Sequence, residues 1–190
     1  TWHDLWQPKY KKNIMLIDSS RDIMGMALAS SGQSVNTKSI PELAAAKGKL
    51  DTLMPNVKAI VADEIKTYMA QDEAAIAVDY SGDASEMIAE NKHLHYIVPS
   101  GGGNLWFDNI VMPKTVTNKR AAYAFLNFMS EPKHAAQNAE YVGYATPNKQ
   151  AVNLLPKSVK NNKAWYPPKS TLSQLEVYQD LGPTWVGNYN

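Results

Sequence analysis

The stretch NIMLIDSSRDIMGMALAS, Asn13 to Ser30, decides the fold. Its first part, Asn13–Ile17, is a short apolar run that stops at Asp18, as a buried strand does. Ser19 or Ser20 then stands where a helix cap belongs, and Arg21–Ser30 continues as a helix. Strand, polar corner and helix follow in quick succession, and the pattern goes on downstream. Ser39 precedes Pro41 and Glu42, a cap with proline and acid in the first turn, so a helix runs to about Met54, before Pro55, with Gly48 weakening it slightly. VKAIVA from Val57 reads as a strand and DEIKTYMAQDE as a short helix. AAIAVDY (Ala74–Tyr80) reads as a strand, SGDASEMIAENK as a helix and LHYIVPS as a strand. This alternation predicts an α/β layer of largely parallel strands. Beyond Pro113 the texture changes. NKRAAYAFLNFMSEPKHAAQNAEYVGY predicts two helices divided near Glu131–Pro132, with Ala122, Phe125, Leu126 and Met129 at helical spacing. From about Ala151 short helices mix with proline-rich loops such as WYPPKS, and no internal repeat or low-complexity tract is present.

The 190 residues suit one domain, or one and a half, and are enough for a sizeable core. Apolar residues make up 44% and charged residues 19%, an ordinary globular composition. A net charge of +1 offers no basic excess to draw nucleic acid or an anionic membrane. With no cysteine there is neither a disulfide framework nor a thiolate metal site, which leaves the compartment open and suits an exported bacterial protein that folds without bridges. No apolar run of about 18 residues reads as a transmembrane helix, and no signal peptide is seen. The opening TWHDLW reads like the middle of a protein. Five Trp and ten Tyr are many for this length, and serve core packing or ligand cages.

Three places invite a chemical reading. In SGGGNLWFDNIVMP (Ser100–Pro113), a strand from Leu105 would place Trp106, Asp108, Ile110 and Met112 on one face and Leu105, Phe107, Asn109 and Val111 on the other. The bland account of Asp108 is a partly buried acid paired with a lysine. The functional account is an aromatic wall with a carboxylate, which suits a ligand carrying ammonium groups on an alkyl chain. Asp22 completes a Ser-x-x-acid capping box and favours the helix dipole, yet it stands where strand C-termini and helix N-termini of α/β sheets place ligands. Tyr80, closing one strand and opening the next helix, is a surface aromatic or a ligand contact for the same reason.

Other signals are weak. SGGG lacks the Lys and Ser/Thr of a phosphate loop, and reads as a flexible loop between strands. His93 and His95 are spaced as a metal pair, but no third ligand is near, so hydrogen-bonded or solvated histidines and no metal are expected. There is no G-x-S-x-G, H-E-x-x-H or Cys–His pair, so nucleophilic and metal-assisted catalysis have no support and no cofactor is expected.

Four ordered segments carry a resemblance: TWHDLWQPKYKKNIMLIDSSRDIMGMAL, GGGNLWFDNIVMP, NKRAAYAFLNFMSEP and GYATPN. Together they resemble the spermidine/putrescine-binding proteins of bacterial ABC importers, within the type II periplasmic-binding-protein fold. The resemblance implies a non-enzymatic, extracytoplasmic protein, in the periplasm or on a lipid anchor, that closes two lobes on a polyamine and delivers it to ABC permease subunits. It implies that Asp22 pairs with a ligand amine, that Tyr80 packs on the methylene chain, that Trp106 and Asp108 are the aromatic wall and principal carboxylate, and that Tyr144 lines the site. Ser19 stands where the family often has an acid, which makes another small cationic solute the alternative ligand; the pleat turns Asp18 the other way. An α/β hydrolase is a rival that lacks a nucleophile–base pair, and a sensory or adhesive protein reusing the fold is another. The resemblance further implies that residues 1–108 and 153–190 form the second lobe, that 109–152 is a helical excursion into the first lobe, and that the N-terminal lobe and the first strand of the second are absent. The excursion's apolar face would then seek another cover, for instance in a homodimer.

Overall fold

The computed structural model describes residues 1–190. The chain divides into two compact units, Thr1–Trp106 with Pro168–Asn190, and Phe107–Pro167.

In the first unit, β1 (Ile14–Ile17) lies between β2 (Val57–Val61) and β3 (Ile76–Val78) and is parallel to both. Parallel neighbours need crossovers, and these are α1 (Ser20–Ala29) with α2 (Ile40–Leu53), then α3 (Glu64–Ala70); α4 (Ser81–Glu90) follows β3. β1 is paired on both edges and covered on both faces, so Ile14, Met15 and Leu16 are all buried. That double cover is why its sequence is an unbroken apolar run rather than an alternation. Ile14 and Leu16 pack with Met26 of α1 and Leu53 of α2, while Met15 faces Ile65 and Met69 of α3 and Met87 of α4. The caps form where the sequence puts them. Ser19 and Ser39 accept the backbone N–H groups of Asp22 and Glu42, each at 3.4 Å. A short 3-10 turn, Met54–Asn56, ends α2 and delivers the chain into β2. Asn56 is buried there and donates through Nδ2 to the carbonyls of Leu5 (2.8 Å) and Gln7 (3.0 Å), while its own carbonyl accepts Asn13 N–H at 2.9 Å. One amide thus ties the N-terminal segment to the start of β1 and the end of α2.

Two expected strands are not formed. The run from Leu105 to Met112 was expected to alternate along a strand. The strand, β4, is only Gly103–Asn104. Its partner is short, and Leu105 N–H to Glu176 O, 2.9 Å, is the last rung. Beyond it no strand continues, so no pleat relates Trp106 to Asp108. The glycines serve a close approach: Gly102 has φ +97°, and a Cβ there would lie 2.9 Å from the Gln174 carbonyl oxygen. The segment Leu94–Ser100 is likewise extended but unpaired. Leu94, Tyr96 and Val98 are half-buried and His93, His95 and Ile97 exposed, a strand-like alternation without a ladder. β3 pairs only with β1, and its other edge borders a cavity also lined by His95–Pro99.

The second unit holds α5 (Lys119–Ser130), α6 (Pro132–Val142), α7 (Lys149–Leu154) and α8 (Lys157–Lys160). Extended Glu131 and Pro132 divide the first two, and Gly143 at φ +77° ends α6. Ala151 and Leu155 bury themselves against Ala136 of α6. That packing holds residues 153–167 with the helices, and the chain rejoins the first unit at Pro168. α5 buries no residue, and Tyr123, Phe125 and Phe128 stay exposed. After the return come α9 (Lys169–Leu172), β5 (Leu175–Glu176), which pairs in parallel with β4, and α10 (Pro183–Tyr189). Tyr189 closes a core of Met24, Leu28, Leu43 and Leu181, and its hydroxyl reaches the carbonyls of Val35 (3.1 Å) and Thr37 (3.0 Å). No helix is long and apolar enough to cross a membrane.

Asp79 follows β3 and falls with Ala77 on the side of the sheet that α3 and α4 cover. One carboxyl oxygen accepts Tyr80 N–H at 2.7 Å; the other is buried without a partner. Burial pushes this carboxyl up to about 6, against a smaller downward pull from the Tyr80 N–H and a further push from Asp83.

The first prediction concerns Asn56. Asn56→Leu strands the Leu5 and Gln7 carbonyls in a buried place, and should lower unfolding stability by about 2 kcal/mol in urea denaturation. A loss below about 0.5 kcal/mol would mean that the latch does not matter. The second concerns Asp79. Its folded value lies above the ordinary 3.8, so its contribution to stability is complete below 3.8 and lost as pH rises through about 6. Asp79→Asn should therefore stabilise the chain at neutral pH, by about 1 kcal/mol once the group's partial exposure is discounted, and change little below the lower value. Urea curves with the same effect at both pH values would contradict this.

Candidate functional site

Two strand-to-helix corners of the first unit meet at the C-terminal edge of the sheet. They are neighbours because β1 and β3 pair in parallel, which brings the β1–α1 and β3–α4 turns side by side. The first corner carries Ser19 and, in the first turn of α1, Asp22. The second carries Asp79 and Tyr80, and Tyr80 is the extended N-cap of α4. The Tyr80 hydroxyl crosses to the other corner and donates to Asp22 Oδ2 at 2.7 Å. Ser19 Oγ donates to the same oxygen at 2.6 Å. Trp106 sets its ring edge-to-face with Tyr80, with centroids 5.1 Å apart and planes at 64°. A cavity of about 610 Å³ opens at this edge, with Asp22, Asp79, Tyr80 and Trp106 on its wall.

Of the residues read from sequence, then, Ser19, Asp22, Tyr80 and Trp106 come together. Asp108 and Tyr144 belong to the second unit. Asp108 is exposed, and Tyr144 is half-buried just past the Gly143 cap. His93 and His95 are exposed, and the chain assembles no group of three metal-binding side chains.

Asp22 combines the two roles open to it. Ser19 caps α1, but Asp22 does not complete the box by reaching back to the Ser19 N–H, which donates to Ile17 O at 2.8 Å. Its carboxylate instead collects hydroxyls, and the third is one that the sequence reading missed. Tyr178, just after β5, donates to Asp22 Oδ1 at 2.9 Å and lies 3.2 Å from the Arg21 carbonyl oxygen. The ring of Tyr178 also stacks under the Arg21 guanidinium at 4.6 Å, and Tyr189 takes another approach of that guanidinium at 4.4 Å. The signal for Tyr178 was present in α1. Gly25 sits mid-helix, where glycine costs about 1 kcal/mol and marks a close approach. A Cβ at Gly25 would lie 2.7 Å from the Tyr178 hydroxyl oxygen.

Burial, together with the Asp22 charge and its hydrogen bonds, holds both phenols far above the usual tyrosine range. At physiological pH they are neutral donors. The arrangement is a carboxylate at the rim of an apolar cavity, held between two phenols and backed by an indole. It has no paired nucleophile and base. Chemically it can attract a cation and pack an alkyl chain.

The family model described as bacterial extracellular solute-binding protein matches residues 1–168. The spermidine/putrescine-binding periplasmic protein of Salmonella typhimurium is 36% identical over 182 residues, which are 96% of this chain and 52% of that protein. The chain thus spans about half the length of the curated relatives it matches. Among solved structures, the spermidine/putrescine ABC transporter substrate-binding protein PotD from Streptococcus pneumoniae superposes with a TM-score of 0.91 at 52% identity, over 99% of this chain and 58% of that one. The TpPotD lipoprotein of Treponema pallidum gives a TM-score of 0.84 at 26% identity, over 100% and 59%. A parallel α/β sheet and a family match over most of the sequence lead to one assignment: the chain belongs to the bacterial extracellular solute-binding proteins.

Proposed function

We propose that this chain is one wall of an extracytoplasmic solute-binding component of an ABC importer, which captures a polyamine and hands it to the permease. The observation that carries the reading is the Tyr80–Trp106 pair standing beside the Asp22 carboxylate at the sheet edge. A polyamine is a chain of methylenes punctuated by ammonium groups. Aromatic faces pack on the methylenes and attract the cations, and a carboxylate balances the charge. Asp108 and Tyr144 have, on this reading, the parts of the principal carboxylate and a further aromatic that the resemblance implies. The half-length match to relatives whose names specify spermidine and putrescine supports it, and the compartment follows: periplasm, or cell surface through a lipid anchor.

The rest of the site comes, on this reading, from a first lobe in a longer polypeptide, with closure of the lobes on the ligand. The unpaired edge of β3 beside the unpaired Leu94–Ser100 segment fits a missing first strand of the second lobe. The exposed Tyr123, Phe125 and Phe128 of α5 fit a cover supplied by that first lobe rather than by a second copy. A second reading, another small cationic solute, is favoured by one observation. Ser19 brings a hydroxyl, not an acid, to Asp22, so no second carboxylate stands at that position of the corner.

The prediction is weak binding by the chain alone. A ligand cleft normally buries most of its ligand, and one wall leaves half of those contacts unmade and the charges screened by water. Titration of putrescine and spermidine into the 190-residue chain, followed by NMR shifts at constant ionic strength, should give dissociation constants of about a millimolar or weaker, about −4 kcal/mol. The uncharged 1,4-butanediol should bind less still. Micromolar binding would overturn the two-lobe reading, and equal binding of the diol would overturn the cationic one.

A further inference from the structure

We propose that Asp22 acts on the ligand through Tyr80 and Tyr178: by accepting the hydrogen bonds of both phenols it turns their two oxygens into fixed acceptors that select cations bearing N–H groups over quaternary cations. This rests on the polyamine reading and deepens it.

The argument starts from proton counting. A phenol has one proton to give, and its oxygen keeps lone pairs to accept with. Tyr80 commits its proton to Asp22 Oδ2 at 2.7 Å. Tyr178 has two acceptors within reach, Asp22 Oδ1 at 2.9 Å and Arg21 O at 3.2 Å, and both belong to the α1 turn. Neither hydroxyl has a proton left for the cavity, which both residues line. The Asp22 carboxylate accepts Ser19 as well, so three hydroxyls occupy most of its roughly four lone-pair sites. A ligand ammonium therefore finds little free carboxylate. It finds phenol oxygens made more electron-rich by the hydrogen bonds they donate to an anion. An aromatic cage alone does not distinguish an alkylammonium from its methylated form, because ring attraction acts on any cation. Oxygen acceptors do distinguish them, since a quaternary nitrogen has no proton to offer.

The clamp is built in more than one place. Arg21 holds the Tyr178 ring from one side at 4.6 Å. Gly25 leaves the space the hydroxyl needs, for a Cβ there would stand 2.7 Å from it. Gly25→Ala thus displaces the Tyr178 hydroxyl without touching a charged or ring-bearing residue, and alanine is the better helix former, so the fold should survive.

Two measurements on the 190-residue chain test this. The first needs no ligand. Burial raises Tyr96 and Tyr189 as well, but only Tyr80 and Tyr178 owe part of their shift to Asp22; ultraviolet titration of the tyrosines should therefore show phenols that resist ionisation beyond about pH 11, and Asp22→Asn should bring two of them down. A tyrosine titration unchanged by Asp22→Asn would overturn the clamp, and would leave the polyamine reading standing. The second compares putrescine with its hexamethylated bis-quaternary counterpart by NMR titration. The chain should prefer putrescine by roughly tenfold, and Tyr178→Phe and Gly25→Ala should each reduce that preference to about threefold or less. Equal binding of the two probes by the unaltered chain, or a preference that survives both substitutions, would overturn the selection. Failure of both probes to bind even well above millimolar concentration would overturn the polyamine reading and the acceptor role together, while the ligand-free titration would still judge the clamp.

Discussion

The site depends on one constraint, the parallel pairing of β1 with β3. Parallel strands point their C-terminal ends the same way, so the corners that follow them are neighbours whatever their sequences. Ser19 and Asp22 come from one corner and Tyr80 from the other, and more than fifty residues of chain separate them. Their contact is secured by the burial of Ile14, Met15 and Leu16, which fixes the register of β1 against β3, with Ile14 opposite Ile76 and Leu16 opposite Val78. A slip by one residue would turn the apolar side chains to the wrong helices and carry the corners apart. The geometry at the rim is in this sense set by the core beneath it.

The third participant arrives by a different route. Tyr178 follows β5, a strand of two residues in a separate small sheet. So short a ladder cannot hold a side chain in place by itself. The placing is done by contacts around the ring: Arg21 over its face, Gly25 beneath its hydroxyl, and Asp22 at its tip. Arg21 and Asp22 are close along the first turn of α1, so one helix turn holds both the cation that stacks on the ring and the anion that takes its proton. The glycine costs helix stability locally, and the hydrogen bond to a charged acceptor, worth about 1.5–3 kcal/mol, offsets it.

This division explains what could be read in the sequence. β1, β2, β3 and their helices were legible because each is an apolar run or an amphipathic period bounded by a cap: Ser19 for α1, Ser39 with Pro41 for α2, Glu131–Pro132 between α5 and α6. Such signals are local, and local structure obeys them. The strand expected from Leu105 failed because a strand also needs a partner, and alternation cannot say whether one is present. The ladder ends where β5 ends. The same lack leaves Leu94–Ser100 unpaired despite a strand-like pattern. At the rim, Asp22 and Tyr80 were legible because they sit at strand ends; Ser19 was read as a cap, and Trp106 was named through an alternation with Asp108 that no strand carries and through the resemblance. Tyr178 was not, since its neighbours in sequence are neither a run nor a cap. Only Gly25, far away in the chain, recorded its presence.

The two corners also show how one edge treats two carboxyls differently. Asp22 lies on the α1 side with three hydroxyls around it, and its charge is distributed among donors that burial keeps protonated. Asp79 lies on the α3–α4 side with one backbone N–H and an oxygen that nothing satisfies, and burial pushes its carboxyl up to about 6. The difference is one of supply. Side chains that donate reach the first corner from three elements, whereas the nearest cation on Asp79's side, Lys66, is drawn off to Glu86 at 3.0 Å and Asp83 at 3.9 Å. Hydroxyl donors satisfy a carboxylate without cancelling its charge as an arginine or lysine would. On the proposed function, the three hydroxyls around Asp22 let its charge be felt through the two phenol oxygens at the cavity, while Asp79, with an oxygen that nothing satisfies, bears the cost of standing beside an apolar cavity.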